Sequence, residues 1–434
     1  MILFRIAFLS LWQARNRTGV LAGAIAFVSA LLVMMLGVAE GMNRSLIEAS
    51  TTLMSGHVNV AGFFKVTAGQ GAPVVTKAKS VREVVKRAAP EALYVVSRGR
   101  GYAKVVSDQG STVIGLSGVS VEEEQGLEKV LRMKEGSLAD LAKPNSVVLF
   151  EDQAARLEVR VGDAVTASTP TTRGVNNTVD LTVVGVAKNL GMMSQFSCFM
   201  NAKSLQKLYQ LNDDTTGALQ VYLPSADLDE VKRVQGRVRE ALLAAGYQVM
   251  PDDPRAFFFK FENISREGWT GQKLDLTTWH DEVSFIAWTV DLMSALSFFL
   301  AVVLLAVIGV GIMIVMWISV RGRTREIGTL RAIGMQRPSV LAMFLAEGFL
   351  LGAFATVVGT LAGVVLSALL TAVQVPLPQG VQFVLLSEKL VLIPTVRWTL
   401  ISGAFITAVV TAISFGPALV ASRMKPVTAM AHAG

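Results

Sequence analysis

Leu292-Met-Ser-Ala-Leu-Ser-Phe-Phe-Leu-Ala-Val-Val-Leu-Leu-Ala-Val-Ile-Gly-Val-Gly-Ile-Met-Ile-Val-Met-Trp-Ile-Ser-Val320 runs for 29 positions without a charged residue. Wound as a helix at ~1.5 Å per residue, it would extend roughly 43 Å, more than the ~30 Å hydrocarbon core of a bilayer requires. One end is therefore expected to protrude. Because Glu282 through Trp288 to Asp291 also stays fairly apolar, the helix is expected to continue out of the membrane, so that 283–320 forms a stalk and a span. Three further apolar runs have the length of a span: Gly19–Gly41, whose one charge is Glu40 near its end, Val340–Val373, interrupted only by Glu347, and Thr399–Ala421. A cleaved signal peptide is the rival reading of the first run. It exceeds the ~7–15 residue apolar region of such peptides, and no clear small-x-small cleavage site follows it, so a retained helix is favoured.

The placement of lysine and arginine gives the orientation, because short basic loops stay cytoplasmic. Arg5, Arg15 and Arg17 precede the first span. Arg321, Arg323, Arg325, Arg331 and Arg337 lie between the second and third, and Arg423 and Lys425 follow the fourth. With four spans all three groups fall on one side, which supports the count independently. Both termini are then expected in the cytoplasm. The fold class expected is a membrane α-helical protein of four transmembrane helices, with a large mixed α/β extracytoplasmic domain inserted between helices 1 and 2. In order, the segments are a cytoplasmic interfacial helix over 1–18, spans over 19–41, 283–320 (with its stalk), 340–373 and 399–421, the insert over 42–282, a cytoplasmic connection over 321–339, a short outward loop over 374–398 and a tail over 422–434.

Composition agrees with this class. Of 434 residues 52% are hydrophobic and 17% charged, with a mean hydropathy of +0.50, too apolar for an ordinary soluble protein of several domains. The net charge of +7 sits in clusters beside apolar runs rather than in one stripe, so nucleic acid is not an expected partner and membrane lipid is. One cysteine, Cys198, excludes an intramolecular disulfide framework, and three dispersed histidines, His57, His280 and His432, argue against a metal or catalytic cluster. Within the insert, strands are expected at His57–Ala61, Ala92–Val96, Ser146–Phe150, Val165–Ser168, Asp180–Val186 and Ala218–Tyr222. Helices are expected at Val81–Ala89, Glu151–Leu157, Ala202–Tyr209 and Leu228–Ala245. Gly162-Asp163 reads as a tight turn and Thr169–Asn177 as an exposed loop.

Between the second and third spans stands Arg321-Gly-Arg-Thr-Arg-Glu-Ile-Gly-Thr-Leu-Arg-Ala-Ile-Gly-Met-Gln-Arg-Pro-Ser339. Ile327, Leu330, Ile333 and Met335 put apolar side chains largely along one face of a short helix, with Arg325, Glu326 and Arg331 supplying charge around it. Such a helix could lie in a groove of a soluble partner and pass motion between two proteins. A basic loop that merely fixes topology is the plain alternative, and the residues alone leave both open.

The pattern R-x-R-E-I-G-x-L-R-A-I-G-M over 323–335, followed by a long helix with Glu347 and spaced glycines, resembles the C-terminal permease domain of the FtsX, LolC/LolE and MacB superfamily of ABC transporter permeases. Pro417, Ala421, Arg423, Pro426 and Ala429 are similar to its closing pattern. In the insert, Val147-Val-Leu-Phe-Glu-Asp-Gln-Ala-Ala-Arg-Leu-Glu-Val-Arg-Val-Gly-Asp163 and Leu181-Thr-Val-Val-Gly-Val186 resemble the periplasmic core of MacB and of lipoprotein-releasing permeases, whose layout the chain matches best. The resemblance implies that Arg325, Glu326, Gly328, Leu330, Arg331, Gly334 and Met335 form a coupling surface for a nucleotide-binding subunit. No G-x-x-x-x-G-K-[ST] occurs in these 434 residues, so no loop here is built to cradle nucleotide phosphates. This chain is therefore expected to be non-catalytic and to bind no cofactor, with ATP and Mg on a partner ATPase.

The same resemblance implies a pair of permeases, homodimer or heterodimer. Gly359 and Gly363 form a small-x-x-x-small pair that could serve such a dimer or packing within one subunit. Glu347, in an apolar run, is expected to snorkel or to pair with a loop arginine rather than relay protons. Met34, Met35, Met293, Leu296 and Phe299, in the upper parts of the first two spans, could bound an apolar acyl cavity, ordinary bundle packing being the alternative for each. Phe257–Phe259, Phe261, Trp269, Trp279 and Trp288 form an aromatic approach to the second span, which an interfacial belt explains. The expected function is mechanotransmission, ATP-driven movement on the periplasmic side that releases a lipoprotein substrate toward the outer membrane, with a periplasmic carrier as a further partner. MacB-like export of periplasmic substrates and FtsX-like regulation of a cell-wall hydrolase are the alternatives. A membrane-bound enzyme is disfavoured, since carboxylate pairs such as Asp252-Asp253 beside Pro251 and Pro254 read as solvated turns.

Overall fold

Apolar runs that cross lipid wind into helices, because inside a bilayer every backbone polar group must be satisfied within its own segment. The computed structural model describes residues 15–424 apart from 68–70, 125, 172–173, 191–193, 195–196, 379–380 and 382–388. Four helices are long and apolar enough to span: Arg15–Ser50, Ser284–Gly322, Arg337–Val373 and Val396–Arg423. They share a core in which Ile25 of the first, Ile312 and Met316 of the second, Phe344 and Leu351 of the third, and Ile406 and Val410 of the fourth are all buried. Of the interfacial helix expected over 1–18, residues 1–14 lie outside the described residues, and 15–18 belong to the first spanning helix. Residues 425–434 of the expected tail lie outside them too.

The helices overrun the apolar stretches that announced them. The first continues past Gly41 because Asn43–Ser50 lacks breakers and keeps a helical stripe, with Met42, Leu46 and Ala49 buried. It ends in a π-helical turn, Thr51–Ser55, closed by Gly56 at φ 67°. The first strand of the insert starts at Val58, while the compact unit it belongs to begins at Asn43. The fourth span begins at Val396, three residues before its expected start, while the second is one unbroken helix of 39 residues.

A second unit comprises Asn43–Thr289 and a short segment that begins at Leu377. Its strands are β1 (Val58–Lys65), β2 (Val75–Thr76), β3 (Tyr94–Val106), β4 (Ser111–Val119), β5 (Met133–Gly136), β6 (Ser146–Phe150), β7 (Ala164–Pro170), β8 (Asn176–Ala187), β9 (Ser197–Asn201), β10 (Thr215–Thr216), β11 (Ala218–Tyr222) and β12 (Gly271–Thr278). One sheet runs β12-β1-β11-β3, antiparallel throughout, and the helices Ala78–Ala88 and Leu228–Ala244 pack together beside it, burying Val81, Val85, Val231, Val234 and Val238. Strand β3 then bends into a second arrangement. It pairs with β4 and β7, and the pairings β4-β9, β9-β6, β6-β8 and β8-β7 close a ring of six strands. The ring is filled by Ala103, Ile114, Val147, Leu149, Val165, Leu181, Cys198 and Met200.

Strands β6 and β11 and the helices Glu151–Leu157 and Ala202–Tyr209 fall where the sequence placed them. The expected loop over Thr169–Asn177 is shorter. Strand β7 runs to Pro170, β8 starts at Asn176, and Thr171 N–H donates to the Val175 carbonyl at 2.8 Å. Strand β3 extends ten residues past Val96 because Gly99 and Gly101, which look like loop residues, make room for helix Ala202–Tyr209: Leu205 sits against Gly99 and the Tyr209 ring against Gly101.

Candidate functional site

The connection between the second and third spans is built around one arginine. Arg323, just past the end of the second span at Gly322, sends Nε to Glu326 Oε2 at 3.0 Å and Nη1 to Glu347 Oε2 at 3.4 Å, with its guanidinium 5.7 Å from the Phe344 ring. Glu347 is 5% exposed and Phe344 fully buried in the third span. A lone carboxylate at that depth would be costly, and the arginine at the helix end supplies the compensating charge. The same pair fastens the start of helix Thr324–Ala332 to the bundle. At its other end Gly334 takes φ 109°, Met335 N–H donates to the Leu330 carbonyl at 3.0 Å and Gly334 N–H to Arg331 at 3.2 Å. This is a Schellman stop, which needs a residue at ease with positive φ. Pro338, in the first turn of the next helix, then starts the third span.

Thus pinned, the short helix divides its residues. Ile327 and Gly328 are buried, Ile327 within the bundle core, and Leu330, Arg331 and Met335 are half-buried, Met335 also packing on that core. Arg325, Glu326, Thr329, Ala332 and Ile333 are exposed, Ile333 by 80%. The single apolar face expected from Ile327, Leu330, Ile333 and Met335 is split, since six helical positions separate Ile327 from Ile333, roughly 120° around the axis, and Met335 lies beyond the stop. Gly328 accordingly belongs to the packing against the bundle rather than to an outward surface. Arg331 reaches the Met335 carbonyl at 3.5 Å, while its buried Nε has no partner.

The two glycines proposed for close helix approach face the first span of the same chain. A methyl at Gly359 would overlap the Ala26 backbone, and one at Gly363 would lie 2.8 Å from the Ala30 carbonyl oxygen. The i, i+4 spacing on each helix makes one seam of small residues, and the packing is within the subunit. On the neighbouring side of the third span, Gly348 and Gly352 meet Ser414 and Val410 of the fourth.

The residues considered for an acyl cavity do not line a common hollow. Met34 and Met35 are half-buried in the first span, while Leu296 and Phe299 are 45% and 62% exposed on the second; the Met293 side chain lies outside the described residues. A hollow of about 1160 Å³ lies instead between the third and fourth spans, lined by Phe349, Thr356, Thr360, Gly403, Thr407 and Phe415 among others. The reading by residue missed it, although Thr356/Thr360 and Gly403/Thr407/Thr411 repeat small side chains at helical spacing. The hydroxyls of Thr407 and Thr411 are spent on carbonyls one turn back, at 2.9 and 2.7 Å.

Two family models cover most of the chain. Residues 18–241, more than half of it, match the MacB-like periplasmic core domain, and residues 298–426 match the FtsX-like permease C-terminal domain. The chain belongs to the MacB/FtsX family of ABC transporter permeases. The permease is 39% identical over 133 residues to the pyoverdine export ATP-binding/permease protein PvdT of Pseudomonas savastanoi pv. phaseolicola, a match covering 30% of this chain and 18% of that one. It is 35% identical over 144 residues to the macrolide export ATP-binding/permease protein MacB of Nitrosomonas europaea, covering 33% and 19%. The matched segment of the permease thus spans about a fifth of the length of these curated relatives. Among solved structures, the periplasmic region of MacB from Actinobacillus actinomycetemcomitans is similar at 13% identity and a TM-score of 0.30, over 44% of this chain and 85% of that one. The extracellular domain of the noncanonic ABC-type transporter YknZ from Gram-positive bacteria is similar at 15% identity and the same TM-score, over 43% and 95%.

Proposed function

We propose that this permease is the membrane subunit of a bacterial inner-membrane transporter, both termini cytoplasmic, whose ATP and Mg are bound and hydrolysed on a separate nucleotide-binding chain. The observation that carries this reading is the exposed outer face of helix Thr324–Ala332, where Arg325, Glu326 and Ile333 offer a charged and apolar contact on a helix whose other face is anchored in the bundle. A helix bound at one face and bare at the other suits the docking of a partner subunit and the passage of its motion into the spans. Of the coupling residues inferred from the family pattern, Arg325 and Glu326 make this contact, Leu330 and Arg331 border it, and Gly328, Gly334 and Met335 shape the helix and its stop.

A second permease chain, a copy or a homologue, is proposed to cover the second span. Only 12% of its most apolar window is buried within the chain, against 33% for the third and fourth spans. The cargo proposed is a lipid-modified protein, lifted from the inner membrane and passed to a periplasmic carrier; the bare Leu296 and Phe299 near the start of that span would then contact acyl chains. A second reading, export of periplasmic substrates, is favoured by the names of the relatives, which are macrolide and pyoverdine exporters.

The test is affinity purification of the tagged protein in mild detergent, with mass spectrometry of what co-elutes. A Walker-motif ATPase recovered with a second permease and lipoproteins is the expected result, and Glu326→Arg should release the ATPase while leaving the permease folded. An adaptor and an outer-membrane duct would favour export over lipoprotein release. Absence of any ATPase from an otherwise intact complex would sink the proposal.

A further inference from the structure

Two arginines on β3 of the outer unit, two residues apart, meet different fates. Arg98, 1% exposed, is held by Glu124 through Nε at 2.9 Å and Nη2 at 2.6 Å, while its Nη1 donates to the carbonyls of Thr52 and Leu53 at 2.8 and 3.0 Å. Arg100, 5% exposed, donates through Nη2 to the Met54 carbonyl at 2.7 Å, and its Nη1, equally shut off from solvent, donates to nothing. Both reach carbonyls of the π-helical turn Thr51–Ser55, whose loosened backbone leaves them free to accept. Burial lowers the basicity of both guanidinia, but the Glu124 carboxylate more than offsets this at Arg98. At Arg100 burial prevails over the attraction of the Glu282 and Asp275 carboxylates, and the pKa stays below its ordinary value.

Arg100 is one of the residues lining a cavity of about 320 Å³ whose other walls are largely apolar: Leu53, Met54, Leu116, Phe258 and Phe259. The rings of Phe257 and Phe258 stand 5.3 and 5.9 Å from the guanidinium, and Phe259, 57% exposed, forms part of the rim. The other charge on the wall, Glu282, already accepts from Thr277 Oγ1 at 2.6 Å and Asn59 Nδ2 at 3.3 Å. A buried donor left without an acceptor costs free energy that a ligand can recover, and a charge-assisted bond in an apolar hollow recovers most. The volume is at the small end of the ~300–1,000 Å³ typical of ligand sites, room for one alkyl chain rather than a diacyl lipid.

We propose that this cavity in the extracytoplasmic unit binds a monoacyl carboxylate, its chain among Leu53, Met54, Leu116 and Phe258 and its carboxylate paired with the Arg100 guanidinium. The inference is independent of the cargo proposed above. It is tested on the full chain in nanodiscs of zwitterionic lipid, with a dodecanoic acid carrying a diazirine near its methyl end as photo-probe and adducts mapped by peptide mass spectrometry. Adducts are expected on the peptides containing Met54 and Phe258–Phe259, displaced by excess dodecanoate and not by dodecylammonium. Arg100→Met should weaken this labelling about tenfold, the size of one charge-assisted hydrogen bond. Should that variant fail to fold, Met54→Trp, which narrows the hollow while keeping the backbone carbonyl that Arg100 uses, must abolish the same adducts. Equal displacement by the ammonium amphiphile, labelling unchanged in a folded Arg100→Met protein, or adducts confined to the spanning helices would each overturn the proposal.

Discussion

At His57 the hydrogen-bond geometry fixes a protonation state. Its Nδ1 accepts from Leu223 N–H at 3.1 Å, the ring lies edge-on to Tyr222 at 6.0 Å, and burial pulls its pKa from 6.5 to about 4. Above pH 6.5 the ring is neutral in folded and unfolded chains alike and adds no pH dependence. As pH falls from 6.5 toward 4 the unfolded chain binds the proton first, so the folded state loses up to ~1.4 kcal/mol per pH unit over that window. Replacing His57 with Gln should flatten this part of the stability profile, even if the lost ring packing lowers the melting temperature at pH 7.5. Melting curves of the purified protein at half-unit steps from pH 7.5 to 4.5 check it, and identical slopes for the two proteins would refute the role. The sequence showed His57 as one of three scattered histidines, which sufficed to discount a metal cluster. That Nδ1 would be occupied by a backbone N–H arriving from a residue 166 positions away depends on β1 pairing with β11, which no local pattern states.

Among the elements, the seam between the first and third spans turns on Gly359 and Gly363. A Cβ at Gly359 would collide with the Ala26 backbone, whereas at Gly416 in the fourth span nothing lies within 4 Å. The same substitution should therefore act in opposite directions. Gly359→Ala is expected to force the helices apart and lower the melting temperature of the protein in nanodiscs, by ~1–3 kcal/mol in stability. Gly416→Ala should be neutral or stabilising, since alanine favours the helix by up to ~1 kcal/mol; equal effects at the two sites would show that the seam is not tight. The small-x-x-x-small spacing was legible in the sequence, but its partner was not, because spacing gives a face and not what the face meets. The connecting helix was legible in the same partial way. Its charges and Gly334 were visible, yet which apolar residues turn inward was decided by Arg323 bonding to Glu347, across 24 positions of sequence. Strand ends were readable at β6, where a continuous apolar run is flanked by polar residues. They failed at β3, where Gly99 and Gly101 have the composition of a loop and are in a strand because Leu205 and Tyr209 need the space.

Across the whole molecule, the number of spans follows from hydropathy and length, and arginine placement predicts their direction, two properties the chain carries locally. The closed ring of six strands carries no such local mark, since β4 pairs in parallel with β9, about 80 residues on. Orientation can be tested with a feature of the chain itself. Cys198 is fully buried in that ring and its thiol is pushed up to about 12 by burial, so it presents almost no thiolate to a maleimide at neutral pH. Single cysteines can then be introduced without removing it. Val175, 62% exposed in the α/β unit, and Ile333, 80% exposed on the connecting helix, are suitable positions. In spheroplasts a membrane-impermeant maleimide should label Val175→Cys directly and Ile333→Cys only after the membrane is permeabilised, with the unsubstituted chain dark in both. The reverse pattern would put the basic connection outside and leave helix Thr324–Ala332 beyond the reach of any cytoplasmic ATPase. That outcome would remove the proposed docking site while leaving the four spans intact, because hydropathy counts helices and is indifferent to their direction.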